Sequence, residues 1–354
     1  MLGAYYYLWY GKPTPPILGM GEWKSGYSNR PVLGEYNSRD EKVISQHLSW
    51  VKGAGIDFFA IGWLGPGTWE DITLKDYYLS ASKGSDIKFC IHYDSSFALN
   101  KFRLDKSKNQ VSFDFQEEYL IGKNKGEKFL EDFDYLADNY FNHPQYLKID
   151  GKPVVILYNA SAFRNIEKYF AKIPSMFLVA DSVCWSGVKV SKRNLKFFWE
   201  NPPKEWLKVI FRAFRRLSPK SYEKDISLSK YFSAITNYNA YSPGRMDNFF
   251  ENLDDLYQKY SQYARSQNLH FIPDIMPGYD DRKQNGLAKP VFGRKKGEFY
   301  RNYWETARKY LDKKLPIAMI TTFNEWHEGT EIEPSKEYGD EYIKITKKEK
   351  ESNL

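Results

Sequence analysis

Two glutamates three residues apart, Glu325 and Glu328, stand at the end of an apolar run, with Asn324, Trp326 and His327 around them. Ile317 to Phe323 is mostly branched or aromatic, which predicts a strand covered on both faces, and the polar cluster follows it without a spacer. Two carboxyl groups suit glycosidic cleavage, one giving a proton to the leaving oxygen and the other, ionised, stabilising or attacking the anomeric centre. Their spacing leaves the carboxyl separation, and so the stereochemistry, open. The plainer alternative is that one of them is a helix N-terminal acid or a surface residue. His327 and Glu328 beside Glu325 also have metal-ligand character, but the position where an HExxH zinc motif needs its second histidine holds Glu331. No metal and no other cofactor is expected.

A strand that delivers a polar loop belongs in an α/β sheet or barrel. Eight strand-like segments alternate with helical ones: Ala4–Trp9, Asp57–Trp63, Ile87–Tyr93, Val154–Tyr158, Met176–Asp181, Ala234–Tyr238, Phe271–Ile275 and Ile317–Phe323. Helices are predicted at about Arg39–Ala54 with Ser38 as cap, Trp69–Lys83, Gly126–Tyr140, Ala162–Ala171, Met246–Gln267, Gly297–Lys313 and Glu341–Lys350. The fold class that follows is an α/β (β/α)8 barrel with long βα loops. Residues 1–354 read as a single catalytic domain, with one aromatic and basic insertion at about 184–228 between strands five and six. The polar excursion Ser95–Lys125 is too long for an ordinary βα loop and is expected to fold over one face.

In such a barrel the C-terminal ends of the strands converge on one face. Those ends carry Trp9 and Tyr10, Trp63, His92 and Asp94, Tyr158 and Asn159, Asp181, Tyr238 and Tyr241, Asp274 and Tyr279, and the cluster from Asn324 to Glu328. They supply acids, hydrogen-bonding aromatics and stacking surfaces, with no phosphate-cradling glycine motif and no Ser-His-Asp constellation. Taken singly, His92 reads as a core histidine, Asp181 and Asp274 as helix caps, and Trp9, Trp63 and Trp326 as barrel-end packing. Only their joint placement favours a sugar site.

Composition agrees. The chain of 354 residues has 28 Tyr, 24 Phe and 10 Trp, many of which are expected outside the core, where flat amphipathic rings suit sugars; a large aromatic core is the plainer alternative. The net charge of +7 is spread along the chain apart from Lys208–Arg216 and the lysines near the end, so a solvated basic face is expected and no nucleic-acid partner. No apolar run approaches the roughly 18 residues of a membrane span. Nothing at the start reads as a leader, which predicts a cytoplasmic location as the sequence stands, or a secreted or periplasmic one if a leader is removed. Cys90 and Cys184 are expected as buried thiols rather than a disulfide framework.

Five stretches together resemble glycoside hydrolase family 99, the endo-α-mannosidase and endo-α-mannanase group. They are YYYLWYGKP at the start, IDFFAIGWLGPG, FCIHY, DNYFNHPQYLKIDGKPVVILYN and the loop FNEWHEGTEIEP, in family order over nearly the whole chain. The resemblance implies a retaining, endo-acting enzyme on α-mannosides without a metal. It implies that Glu325 acts as base on the substrate's own 2-hydroxyl, giving a 1,2-anhydro sugar, and that Glu328 is the acid and then the base. It further implies that His92, Tyr238 and Asn324 bind the sugars flanking the scissile bond, together with Tyr7 or Tyr10, between which it does not choose. Trp63, Trp326 and His327 complete the candidate contacts. The stretch after His92, YDSSFALNKF, and the insertion depart from the family pattern, which leaves the choice of oligosaccharide or polysaccharide open. The alternatives are a related barrel acting on another α-glycan or in surface-polysaccharide assembly, and a sugar-binding barrel without turnover.

Overall fold

The alternation of β1 (Leu2–Tyr6) sets the plan of the molecule. In a strand successive side chains point to opposite faces. Tyr5 packs edge-on against His92 of the third strand and Tyr238 just beyond the sixth, and so points inward. Tyr6 stacks on Phe59 and meets His47 of the first helix, and so points outward. Gly3 shares the inward face, where a Cβ would lie 2.3 Å from the Phe58 ring and 2.6 Å from Met319 Sδ, so the barrel floor admits no side chain there.

The computed structural model describes residues 1–11, 23, 26–100, 113–181, 230–238, 248–285 and 291–352. After β1 come β2 (Phe58–Trp63), β3 (Lys88–Tyr93), β4 (Lys152–Leu157), β5 (Phe177–Asp181) and β6 (Ala234–Thr236). β7 is in two pieces, His270–Phe271 and Asp274–Ile275, and β8 is Ala318–Ile320. Each strand from β1 to β6 pairs in parallel with the next, and β1 also pairs with β8. The first piece of β7 pairs with β6 and the second with β8, which closes the ring. The break falls at Pro273, which has no N–H to donate. Ile272 N–H still reaches Ile235 O at 2.9 Å, and Met319 N–H reaches Pro273 O at 3.0 Å. The expected (β/α)8 barrel is borne out.

Helices cover the outside: α1 (Glu41–Ala54), α2 (Lys125–Leu136), α3 (Phe249–Ser266), α4 (Glu298–Arg308) and α5 (Glu341–Glu351). α1 starts two residues later than expected, because Asp40 and not Ser38 caps it by accepting from Lys42 N–H; Gly55, at φ 75°, ends it. The segment expected as Trp69–Lys83 is helical from Trp69 to Ala81 with a π-helical middle, Thr73–Tyr78. The one expected at Gly126–Tyr140 opens with a capping box between Asn124 and Glu127 and finishes as a π-helical turn, Ala137–Phe141.

Several expectations need correction. The strands expected at Ile317–Phe323 and Ala234–Tyr238 are shorter, Ala318–Ile320 and Ala234–Thr236. Ala162–Ala171 is not one helix: a 3-10 turn at Ala160–Ala162 and a short helix at Glu167–Phe170 flank an extended Arg164, which exchanges backbone hydrogen bonds with Phe113 and Phe115. β1 stops at Tyr6 and does not run to Trp9. The Asn324 side chain takes both main-chain groups of Tyr7, accepting its N–H and donating to its C=O at 2.8 Å each, which ends the ladder. In the long excursion, a short helix Ser95–Ala98 and a hairpin, Glu118–Leu120 with Lys123–Asn124, are described. Cys90 is a buried free thiol, and burial pushes its pKa up. The insertion at 184–228, with Cys184 and Lys208–Arg216, and Tyr241 lie outside the described residues.

Candidate active site

The loop after β8 folds back on its own strand end. Thr322 N–H donates to Thr330 O, Ile332 N–H to Phe323 O and Glu333 N–H to Phe323 O, so residues 323–333 form a closed, hydrogen-bonded unit. The Thr321–Thr322 peptide that enters it is cis. Gly329, at φ 60°, lets the loop pass within about 3 Å of the Asp280 backbone, where a Cβ would sit 3.1 Å from its N and O. The buried Arg294 guanidinium fixes the far side by donating to Gly329 O at 3.1 Å and Glu331 O at 2.6 Å, and it also pairs with the Glu331 carboxylate at 2.7 Å. Burial nevertheless pushes the Glu331 carboxyl up to about 7.

Within this unit Glu325 is buried and Glu328 half-buried. His327 N–H donates to Glu325 Oε1 at 3.1 Å, and Thr322 Oγ1 accepts from Glu325 N–H at 2.7 Å, which sets the carboxylate's direction. Opposite the loop, Tyr7 donates its hydroxyl to that of Tyr238 at 2.8 Å. Burial raises both phenols well above their usual range. The charges that raise Tyr7 further are Glu325, then Glu328 and then Asp94, and those acting on Tyr238 are Glu328 first, with Glu325 behind Tyr7. Two hydroxyls and two carboxyls therefore share one electrostatic environment at the mouth of the barrel. Since Tyr7 donates, Tyr238 keeps its own proton for a third acceptor. Trp9 lies flat on Tyr7 with ring centroids 4.0 Å apart, so the segment that follows β1 contributes a stacked pair to this mouth.

His92 sits among the rings of Tyr5, Tyr158 and Tyr238. Its Nε2 is 3.7 Å from Asp181 Oδ2, beyond hydrogen-bond reach, while Asp181 Oδ1 accepts from Tyr238 N–H at 2.9 Å. Deeper in the barrel Thr321 Oγ1 bonds both Tyr238 O and the Asp274 carboxyl. Burial holds the Asp274 carboxyl well above its usual range, and the hydrogen bond that Thr321 donates opposes the shift.

Of the residues singled out from the sequence, Tyr7, His92, Tyr238, Asn324, Glu325 and Glu328 come together here, with Asn324 fully buried and its amide bonded to the Tyr7 backbone and the Tyr36 hydroxyl. Four others are placed differently. Tyr10 is buried behind the loop, donating to Asn324 O at 2.7 Å and accepting from Trp326 N–H at 3.1 Å. The charges of both carboxyls act on Tyr7. Trp326 is fully buried with its indole N–H on Glu333, and Trp63 is fully buried with its indole N–H on Asp71 at 2.8 Å. Neither offers a face to a sugar. His327 turns Nδ1–H to Gly26 O at 2.9 Å, and burial holds its pKa below the ordinary value. These four build the walls that hold the site. The carboxylates of Asp71 and Glu333, which take the two indoles, escaped notice in the sequence because neither stands at a strand end. Asp71 also accepts from Gly67 N–H and from the hydroxyls of Tyr135 and Tyr140. Among the described residues no group of three or more His, Cys, Asp or Glu is placed to hold a metal, and no helix is long and apolar enough to cross a membrane.

The family described as glycosyltransferase WbsX matches residues 30–346. The chain is 23% identical over 363 residues to glycoprotein endo-alpha-1,2-mannosidase of Xenopus laevis, covering 94% of this chain and 69% of that protein. With the Mus musculus protein of the same name it shares 25% over 358 residues, covering 94% and 67%. Among solved structures it superposes on the GH99 endo-alpha-mannosidase of Bacteroides thetaiotaomicron in complex with bis-tris propane with a TM-score of 0.64 at 20% identity, covering 99% of this chain and 96% of that one. A glycoside hydrolase-like protein gives a TM-score of 0.68 at 20% identity, covering 98% and 93%. The chain belongs to the glycosyltransferase WbsX family, a relative of glycoside hydrolase family 99.

Proposed function

We propose that this protein is a retaining, endo-acting glycosidase that cleaves internal α-mannosidic linkages of an oligosaccharide or polysaccharide. The observation that carries the reading is the meeting of Glu325 and Glu328, on one folded loop, with the Tyr7–Tyr238 hydroxyl pair at the mouth of the barrel. Relatives named endo-alpha-1,2-mannosidase support the substrate class. In the proposed reaction Glu325 removes the proton of the mannose 2-hydroxyl, and O2 attacks C1 from behind as the C1–O bond to the leaving sugar breaks. Glu328 gives that oxygen its proton. In the second half Glu328 takes a proton from water, which attacks C1 and opens the 1,2-anhydro ring, and Glu325 returns the proton to O2. Two inversions at C1 retain the α configuration. His92 and Tyr238 are the proposed sugar contacts, and Asn324 fixes the loop against Tyr7.

The family description favours a second reading on the same residues, in which a sugar hydroxyl takes the place of water in the second half. Incubation with α-mannan and with a glucosylated high-mannose oligosaccharide, followed by sizing of the products, separates the two. Shorter fragments alone are expected. Products longer than the starting chain would establish transfer, and no change in either glycan would refute cleavage of α-mannosides.

A further inference from the structure

Glu333 lies eight residues beyond Glu325, is buried, and collects three hydrogen bonds from three parts of the chain. Its Oε2 accepts from Trp326 Nε1–H at 3.0 Å and from the Tyr36 hydroxyl at 2.8 Å; its Oε1 accepts from His47 Nε2 at 3.1 Å. A carboxylate only accepts, so His47 carries its proton on Nε2, and its Nδ1 takes the Tyr6 hydroxyl at 2.9 Å. Trp326 stands between the two candidate acids in sequence, and Tyr36 also accepts from Asn324 Nδ2 at 3.3 Å. One carboxylate thus joins α1, the segment that follows β1, and the loop bearing Glu325 and Glu328. Hydrogen bonds to a buried charge are the strong ones, and removing their shared acceptor strands three donors away from water.

We infer that Glu333 is the positioning residue of the β8 loop. It never meets the substrate, and it sets the places of Glu325 and Glu328 through Trp326 and Asn324. This rests on the reaction proposed above for the kinetic effect, though not for the ordering of the loop.

The test compares wild type, Glu333→Ala and Glu333→Gln by hydrogen exchange and by turnover of α-mannan. In Glu333→Ala the amides of residues 323–333 are expected to exchange about tenfold faster, the scale set by a lost buried hydrogen bond, with the other barrel strands unchanged. Turnover is expected to fall about 10²-fold in kcat, as for a displaced reacting group, with KM nearly unmoved. Glu333→Gln is the rescue: its carbonyl accepts from Trp326 and Tyr36, while its amide donates to His47 Nε2 once the ring moves its proton to Nδ1, facing Tyr6. Recovery of most of the loop protection and of kcat is expected. Unchanged exchange in Glu333→Ala, faster exchange spread evenly over the barrel, or a glutamine variant as damaged as the alanine would overturn the inference. If wild type leaves α-mannan untouched, the proposed reaction fails and the exchange arm alone decides the positioning role.

Discussion

Glu325→Gln is expected to lower turnover of α-mannan by on the order of 10²–10⁴-fold, the range for loss of a positioned base. Glutamine is nearly isosteric and its carbonyl can still accept from His327 N–H, so the loop keeps its shape. What disappears is the group that takes the 2-hydroxyl proton. Steady-state kinetics on α-mannan, beside a melting curve for each protein, checks this. A variant that melts like wild type and turns over like wild type would remove Glu325 from the mechanism.

Glu328→Gln is expected to show a deficit of similar size, on the order of 10²–10⁴-fold on a natural glycan, and the deficit depends on the leaving group. A sugar alkoxide leaves poorly without a proton, whereas fluoride needs none. Single-turnover kinetics with an α-mannosyl fluoride is therefore expected to bring the variant much closer to wild type in the first half of the reaction, with the second half still slow for want of a base. Glu325→Gln gains nothing from fluoride, because its missing proton transfer is on the 2-hydroxyl. Equal deficits for both variants with both leaving groups would contradict the division of roles.

Much of the barrel was legible because its strands are buried on both sides and read as apolar runs ended by polar residues. β2 and β3 fall within a residue of their expected bounds for this reason. The misplaced elements depend on partners far away in sequence. Tyr7 leaves the ladder because Asn324 takes its backbone, and the expected helix at Ala162–Ala171 breaks because Arg164 pairs with residues near Asp114. Neither partner is visible in a local window.

The site divides in the same way. Glu325 and Glu328 were legible as acids at a strand end. Aromatics at strand ends were not, since a ring beside a cleft and a ring walled in behind a loop have the same sequence signal. Strand parity carried a usable clue: Tyr5 and Tyr7 face inward and Tyr6 outward. The same parity puts Trp63 on the outward face of β2 with Phe59, where Asp71 takes its indole, whereas Trp326, in a loop, had no such clue and is buried against Glu333. Glu333 itself sits in an unremarkable Glu-Ile-Glu-Pro run, and only the folded loop brings it under Trp326.

The most direct measurement is the anomeric configuration of the first-formed reducing end, followed by proton NMR from the first minutes of wild-type action on α-mannan. The α anomer is expected at the outset, drifting to the equilibrium mixture afterwards. The β anomer appearing first would mean a single displacement by water, and would contradict a mechanism in which Glu325 and Glu328 work through the substrate's own 2-hydroxyl.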